Sequence, residues 1–315
     1  MENEFIDVNN ILEKCGLGNK SADIVLSNIA HLEEFYDEES LIQIYNYCLK
    51  NIEMPDILIQ IIKYSDSHRA ISTLNILLDL LLIKLNKNIN NYDEDLLINL
   101  KVLCIKAIAN YKDASTVSSI LACMNNKKEH YKVRLACADA LGRIGDRFAV
   151  RPLIDIVEDD EEKSVYLKES ATFALGLLGD TSAIDPLIKI LESKRGFLNG
   201  FSFLKEKIVE SLGKLNINNK KVINALKNSL MDSSPMVRIN AIEAIMNSDD
   251  ENSIELIMPS LQDEDDDVKK NALIALYNLK GRDILDEVIN LPIYSDFLKI
   301  EAKNLIDEYE EGDYE

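Results

Sequence analysis

The chain has 315 residues, of which 47% are hydrophobic, so it can bury the core of one large domain or two ordinary ones. Its 55 acidic and 35 basic residues give a formal net charge of −20, which disfavours binding to nucleic acid or to an anionic membrane, because both need a cationic surface. Only 11 glycines and 6 prolines occur, and long alternating strands are absent, which favours an all-α protein.

The first 66 residues are predicted to form helices of irregular sequence. Apolar residues recur at helical spacing over 22–32, 40–50 and 55–64. Pro55 can begin the last of these helices, because first-turn N–H groups have no partner within a helix. We expect residues 1–66 to form one or two divergent repeats that cap a repeat array. The opening residues are acidic and polar rather than signal-like, which favours a cytoplasmic protein.

The most apolar segment, residues 71–85, is predicted to be a buried helix. Asp79 and Lys84 interrupt it, so it is too short and too charged to span a bilayer. The five cysteines form no C-x-x-C pair, and their odd number gives no complete disulfide framework. We interpret them as buried free thiols in a reducing compartment. They are Cys15, Cys48, Cys104, Cys123 and Cys137.

The centre of the chain repeats itself. Residues 133–158 read VRLACADALGRIGDRFAVRPLIDIVE, and 34 residues later 167–192 read LKESATFALGLLGDTSAIDPLIKILE. Each copy contains two amphipathic helical patterns separated by a Gly-Asp turn. A fixed period in this range indicates a solenoid of helical hairpins.

Three rows of residues recur with this period, at spacings of 30 to 37 residues in the first row. A basic residue occupies one position: Arg69, Lys101, Arg134, Lys168, Lys205, Arg238, Lys269 and Lys299. A small residue follows six positions later: Ala107, Ala140, Ala174, Ser211, Ala244 and Ala275. The turn carries an aspartate at Asp113, Asp146, Asp180 and Asp250, with Asn218 and Asp283 near that position in the other repeats.

Each row predicts a contact. A small residue in every repeat lets neighbouring first helices pack closely. A turn aspartate can accept N–H groups at the start of the second helix. A basic residue in the next repeat can then lie near the turn aspartate before it, which predicts a ladder of exposed ion pairs worth about 0–1 kcal/mol each.

The sequence resembles the HEAT-like repeats first named from phycobilisome lyases, within the wider HEAT/armadillo class. The resemblance is carried by the VR…A…ALG.IGD…PLI run at 133–154 and the K.S…ALGLLGD…PLI run at 168–188, and it is strong from about 100 to 290. It implies a right-handed α-α superhelix of about eight to nine hairpins over 67–309, with an acidic tail at 310–315. Second helices would line its concave surface. Residues 205–230 depart from the pattern, because they lack the Gly-Asp turn and the proline.

Two kinds of segment interrupt the repeats. Residues 193–203, SKRGFLNGFSF, contain three phenylalanines and form either a loop whose rings fold back or an aromatic lip that contacts a partner. Acidic runs occur at 158–162 and 263–267. The second run is similar to the start of a calcium loop, but Val268 and Ile274 replace the glycine and glutamate that such a loop requires. We therefore interpret these runs as helix caps and solvated connections.

No motif predicts catalysis, a metal or a cofactor. The three histidines, His31, His68 and His130, form no H-E-x-x-H motif, and the His-Glu dipeptides of HEAT-type deoxyhypusine hydroxylases are absent. HEAT-like DNA glycosylases use a basic, aromatic surface, whereas this chain has no tryptophan and a pI near 4.6. Neither a phosphate-binding loop nor a nucleophile elbow is present.

Three hypotheses for function follow. The first is a scaffold or adaptor that binds a protein or peptide on the concave surface, without catalysis of its own. The second, implied only by the resemblance, is a phycobilin lyase or isomerase-like protein that acts on a protein-bound bilin. The third is an acidic assembly chaperone for a basic partner. The candidate partner-binding residues are Arg151, Asp155, Asp185, Lys189 and Glu255 on second helices, with Phe197 and Phe201 in the interrupting segment.

Overall fold

A computed structural model describes residues 42, 45, 55–85, 93–192, 202–215, 219–248 and 252–312. These residues form α-helices joined by short turns, and no strand occurs among them. The predicted all-α fold is confirmed. Pro55 is the first residue of its helix, as predicted. None of the helices within the described ranges is long and apolar enough to cross a membrane.

The chain divides into two compact units, residues 1–149 and 150–315. The predicted division at 66/67 and 309/310 is a different one and stays a prediction, although helix Pro55–His68 runs through its first boundary.

In unit 1, first and second helices of the hairpins alternate along the chain. The helices are α1 Pro55–His68, α2 Ile71–Asp79 (which continues as a π-helical turn, Leu80–Lys84), α3 Glu94–Tyr111, α4 Val117–Asn125 and α5 Tyr131–Ile144. The first helices α1, α3 and α5 pack in that order, and α2 and α4 each pack against the following first helix. The predicted apolar helix is buried on one face only, because Ile71 is 77% exposed whereas Leu77 and Leu80 are inaccessible.

Unit 2 continues the alternation. Its helices are α6 Val150–Glu158, α7 Val165–Leu178, α8 Ile184–Leu191, α9 Ser202–Leu215, α10 Lys220–Ser229, α11 Pro235–Met246, α12 Ser253–Ile257 (followed by a 3-10 turn, Met258–Gln262), α13 Asp266–Lys280, α14 Asp283–Asn290 and α15 Asp296–Gly312. The first helices α7, α9, α11, α13 and α15 pack consecutively, and each second helix lies against the first helix that follows it. Most contacts are therefore between neighbouring repeats, which is the arrangement of a solenoid.

The turn aspartates cap the following helical turn, as predicted. Asp113, Asp146 and Asp180 accept the N–H two residues ahead at 2.8, 2.8 and 3.0 Å. The residue before each aspartate ends the first helix in the left-handed region. Gly145 and Gly179 have φ of 83° and 67°, and Lys112 adopts the same conformation at 53°, where a side chain is unfavourable. Asp250 and Asn218 lie outside the described residues.

The row of small residues is buried, and two of its members in unit 2, Ser211 and Ala244, lie against glycines. A Cβ atom on Gly176 of α7 would lie 3.1 Å from the Ser211 Cα atom of α9, and one on Gly213 would lie 2.8 Å from the Ala244 Cβ atom of α11. The Ser211 hydroxyl also donates a 3.0 Å hydrogen bond to the Thr172 carbonyl. First helices α7, α9 and α11 thus touch nearly backbone to backbone.

The predicted ladder between basic residues and turn aspartates was wrong in its partners. Lys101 binds Glu129 at 2.7 Å, Lys205 binds Asp232 at 2.7 Å, and Arg238 binds both oxygens of Asp263 at 2.9 and 2.6 Å. All three acceptors lie in connections between repeats. From Arg134 onward the basic residue is the fourth of its first helix. The turn aspartate of the repeat lies beyond the other end of that helix, 12 residues after Arg134 or Lys168, which is about 18 Å at 1.5 Å per residue.

These pairs are also buried rather than exposed. The side chains of Arg238 and Asp263 are 7% and 12% exposed, and those of Lys101 and Glu129 are 5% and 13% exposed.

The basic side chains also bind the connection that precedes their own helix. Arg238 donates to the Asp232 carbonyl at 2.8 Å, Arg134 to the Met124 carbonyl at 2.8 Å, and Lys168 to the Asp159 carbonyl at 2.6 Å. Carbonyls at the ends of second helices thereby obtain donors.

Arg69 does not belong to the basic row. It follows the last residue of α1, has a positive φ of 49°, and its side chain is 56% exposed. Arg69 therefore occupies the turn position, equivalent to Lys112, and the row of buried basic residues begins at Lys101.

The interpretation of the acidic run at 263–267 as a cap is confirmed. Asp265 accepts the N–H groups of Asp267 and Val268 at 3.0 and 3.1 Å. Asp263 in turn accepts the Asp265 N–H at 2.9 Å while it binds Arg238. The run therefore begins α13 and fixes the connection before it.

The close contact between α7 and α9 predicts the effect of Gly176→Ala. Alanine normally stabilises a helix relative to glycine by about 0.5–1 kcal/mol. Here the added methyl group meets the α9 backbone, so we expect a net loss of about 1–3 kcal/mol of unfolding free energy. Urea denaturation followed by circular dichroism measures it, and Ser170→Ala on the same helix is the control. A gain in stability for Gly176→Ala would contradict the contact.

The buried pair predicts a larger effect for Arg238→Met. The substitution leaves the Asp263 carboxylate buried without its partner, so we expect a loss of about 3 kcal/mol. Arg238→Met/Asp263→Asn should lose less, because asparagine removes the charge and keeps the acceptor for Asp265. The exposed pair Lys280–Glu287 supplies the control, and Lys280→Met should cost under about 1 kcal/mol. Equal losses for Arg238→Met and Lys280→Met would contradict a buried pair.

The left-handed backbone at Lys112 predicts a stabilising substitution. Lys112→Gly removes the unfavourable Cβ contact and should raise the unfolding free energy by about 0.5–1 kcal/mol. Gly179→Ala at the equivalent turn should lower it by about 1 kcal/mol. Thermal unfolding measures both, and a loss of stability for Lys112→Gly would show that the turn is held otherwise.

Candidate partner-binding surface

The second helices of unit 2 each bury one face and expose the other. Helix α6 buries Val150, Leu153, Ile154 and Val157, the apolar stripe expected from its spacing. Helix α8 buries Ile184 and Leu187 at the corresponding positions. The opposite faces carry the charged candidates, which places their side chains in solvent.

Arg151 and Asp155 lie one turn apart on α6 and bind each other. The Arg151 Nη2 atom is 2.7 Å from the Asp155 Oδ1 atom, and the side chains are 72% and 57% exposed. A pair this exposed contributes under about 1 kcal/mol to stability. Its role in the fold is therefore small, and both side chains can exchange partners.

The remaining candidates on α8 form ion pairs with neighbouring second helices. Asp185 accepts from Lys221 of α10 at 2.7 and 3.0 Å. Lys189 binds Glu158 of α6 at 3.3 Å. Helices α6, α8 and α10 pack side by side, so these pairs join them into one charged face, which we call the second-helix face.

Glu255 and the two phenylalanines stand apart from these pairs. Glu255 is exposed on the short helix α12, two repeats beyond α8. Phe197 and Phe201 lie outside the described residues. The structure thus brings together Arg151, Asp155, Asp185 and Lys189 on adjacent helices.

Sequence reasoning missed Glu158 and Lys221 as members of this face. Glu158 was assigned to an acidic connection, but it is the last residue of α6. Lys221 is the second residue of α10, as Arg151 and Asp185 are of α6 and α8. That common position was the available signal, but the missing Gly-Asp turn in this repeat hid the register.

The charges on the second-helix face alternate. The second residues of α6, α8, α10 are positive, negative and positive, and Glu255 adds a negative charge on α12. The face can therefore recognise a matching pattern of charges, and it has no field of a single sign that would attract any basic or acidic molecule.

Nucleophilic and metal-binding groups are not gathered on this face. Among the residues that the structure describes, no three His, Cys, Asp or Glu side chains are placed to hold a metal ion. A depression between α3 and α5, bordered by Lys106, Asp139 and Arg143, has room for about one water molecule.

The cysteines that the structure describes are free, and two are buried, as expected. Burial raises the pKa of the Cys104 thiol, which donates to the Leu77 carbonyl at 3.2 Å. Burial likewise raises the pKa of Cys137, whereas a hydrogen bond with Cys137 lowers the pKa of the half-buried Cys123. Protonated, buried thiols are weak nucleophiles. Cys15 and Cys48 lie outside the described residues.

Two solved structures are similar to this chain at low identity. The complex of CpcE and CpcF of phycocyanin lyase from Nostoc sp. PCC7120 is 21% identical over 75% of this chain and 94% of that chain, with a TM-score of 0.46. Human deoxyhypusine hydroxylase in complex with glycerol is 14% identical over 86% of this chain and 97% of that chain, with a TM-score of 0.36. A comparison with curated protein sequences gives no match.

Family models match the repeats directly. The model for HEAT repeats matches residues 89–166 and 203–279, and the model for the PBS lyase HEAT-like repeat matches residues 167–193. These matches together cover more than half of the chain and coincide with helices α3 to α13. Residues 89–193 and 203–279 therefore consist of HEAT and HEAT-like repeats.

Proposed function

We propose that this protein is an interaction scaffold or adaptor that binds a protein or peptide on the second-helix face and has no catalysis of its own. Two ion pairs carry the proposal. Glu158–Lys189 joins α6 to α8, and Asp185–Lys221 joins α8 to α10. They bring charged groups of three adjacent helices onto one face. Because both pairs are largely exposed, a partner can replace their contacts at little cost to the fold.

The alternating charges favour a partner with a defined pattern of charges. Like charges opposed across an interface cost free energy, so a partner out of register is rejected. Glu255 extends this pattern in the proposal, and Phe197 and Phe201 stay candidates for a separate contact. A cytoplasmic site of action is part of the proposal, since buried free thiols such as Cys104 suit a reducing compartment.

Reversal of two charges tests the second-helix face. In Arg151→Glu/Asp185→Lys the net charge is unchanged, but the pairs of residue 151 with Asp155 and of residue 185 with Lys221 each become like-charge pairs. We expect the capture of partners from cell lysate to fall about tenfold or more, because a misplaced charge opposes each partner group. Quantitative mass spectrometry of the captured proteins measures the change. Unfolding temperatures should stay close to wild type, because these pairs are exposed.

The matched control is Lys280→Glu/Glu287→Lys, which reverses an exposed 2.9 Å pair on α13 and α14. Its capture profile should equal that of the wild type. Equal capture by both double variants would remove the second-helix face from the proposal. If Phe197→Ser/Phe201→Ser alone abolishes capture, the binding site is the segment at 193–201 instead.

Two further measurements separate the alternatives. An acidic chaperone for a basic partner would release that partner steeply as salt rises, because long-range attraction is screened within about 10 Å at 0.1 M. A scaffold that recognises a fixed charge pattern would release it less steeply. A bilin-directed activity would shift the absorbance of an added bilin, and an unchanged spectrum would eliminate it.

A further inference from the structure

We propose that the outer faces of first helices α7, α9 and α11 form a second docking surface, which takes a basic amphipathic helix of a partner protein. This surface does not depend on the second-helix face, because it lies on other helices. Its centre is a row of three exposed apolar side chains, Tyr166, Phe203 and Met236, which we call the apolar row. They are 63%, 68% and 49% exposed.

The apolar row is in register across three repeats. Each member is the second residue of its helix and precedes the basic residue of the repeat by two positions. The contacts of Gly176 with Ser211 and of Gly213 with Ala244 hold the three helices close together. Helices packed in this way lie about 8–10 Å apart, so the row spans about 16–20 Å.

This spacing suits a helical partner. Residues seven apart on one face of an α-helix are separated by about 10.5 Å. A helix laid across α7, α9 and α11 would therefore place one apolar side chain near each member of the row, as helix-in-groove partners do. Met231, 88% exposed, is a further apolar residue in the connection before α11.

These side chains contribute little buried surface to the fold. The neighbouring residues Leu167, Leu204 and Val237 are almost inaccessible and supply the packing at this end of each helix. Single exposed apolar residues are common, but three at one position in consecutive repeats form a patch. The row ends at α13, where Asp267 occupies the second position.

Carboxylates precede and follow Tyr166 of the apolar row along the chain, and one follows Phe203 by three positions. On the side of the connections, Asp160 and Glu161 precede α7 and are exposed. On the side of the helix bodies lie Glu169 and Glu206. Burial raises the pKa of Glu169, the Glu206 charge raises it further, and Lys207 opposes both. Added positive charge would therefore be stabilised beside these carboxylates.

The basic groups in this region are mostly committed to the fold. Lys168 and Lys205 bind the connections. Lys207 binds Glu210 at 2.8 Å, and its ammonium group lies 5.3 Å from the centre of the Phe173 ring. Lys163 is exposed, but Asp160 and Glu161 outnumber it. The surroundings of the apolar row therefore favour a basic partner.

The test uses a fluorescein-labelled helical peptide of about 18 residues with leucines seven apart and lysines on either side of them. We expect it to bind the full chain and to be bound about tenfold more weakly by Tyr166→Ser/Phe203→Ser/Met236→Ser. The same peptide with glutamate in place of lysine should not bind. Fluorescence anisotropy measures these dissociation constants.

Ile293→Ser/Ile300→Ser is the matched control, because Ile293 and Ile300 are exposed to a similar extent, at 62% and 57%, elsewhere in unit 2. It should bind the basic peptide as the wild type does, and so should Arg151→Glu/Asp185→Lys. Failure of the second-helix face and failure of the apolar row are thereby distinguished.

Three results would overturn the proposal. Equal affinity of the triple variant and the Ile293/Ile300 control would show that the peptide only follows the overall charge. Equal binding of the acidic peptide would remove the role of the carboxylates. A self-association seen by sedimentation that the triple variant abolishes would assign the row to a second copy of this chain.

Discussion

The fold depends on the basic side chain at the fourth position of each first helix from α5 onward, which is buried or half-buried. Arg238 illustrates the constraint: it binds Asp263 in the following connection and the Asp232 carbonyl in the preceding one. Hydrogen bonds to Asp263 raise the pKa of this guanidinium, so it remains protonated and positively charged. Lys168 shows the opposing effect, because burial lowers the pKa of its ammonium group while nearby carboxylates oppose the change. Burial of a charge is costly without partners. The connections must therefore adopt the one geometry that supplies them.

Once the basic residue points inward, the helical period determines which of the other positions face inward and which face outward. The residue two positions earlier points outward, which exposes Phe203 beside buried Leu204. The residue six positions later lies between helices and must be small, as Ser211 shows against Gly176. Residues at interior positions are constrained by packing, so only the residues at outward positions can change to suit a partner. The apolar row and the second-helix face both consist of such outward positions.

Much of this architecture follows from the sequence, because a repeated pattern gives the same information several times. The hairpins, the small residues and the capping of turns by Asp113, Asp146 and Asp180 were predicted from spacing alone. The partner of the basic row was not, since spacing gives the repeat but not which end of a helix a side chain reaches. Arg69 was assigned to the row for the same reason: its interval of 32 residues fitted, although it lies in a turn. The face around Asp185 was located, but its partner Lys221 was hidden because that repeat has no Gly-Asp turn.

The second-helix face and the surface around the apolar row differ in the charges that they expose. This difference follows from their positions in the repeat. Second helices carry charges that pair across neighbours, as in Asp185–Lys221, so the face is close to neutral and selects by pattern. At the inter-repeat connections the basic side chains turn inward, which leaves exposed carboxylates such as Glu161 around the apolar row. Because these basic side chains point inward, the surface at the connections exposes mainly acidic groups, even though each repeat has its own basic residue. A structural requirement of the fold determines the sign of the surface that a partner meets.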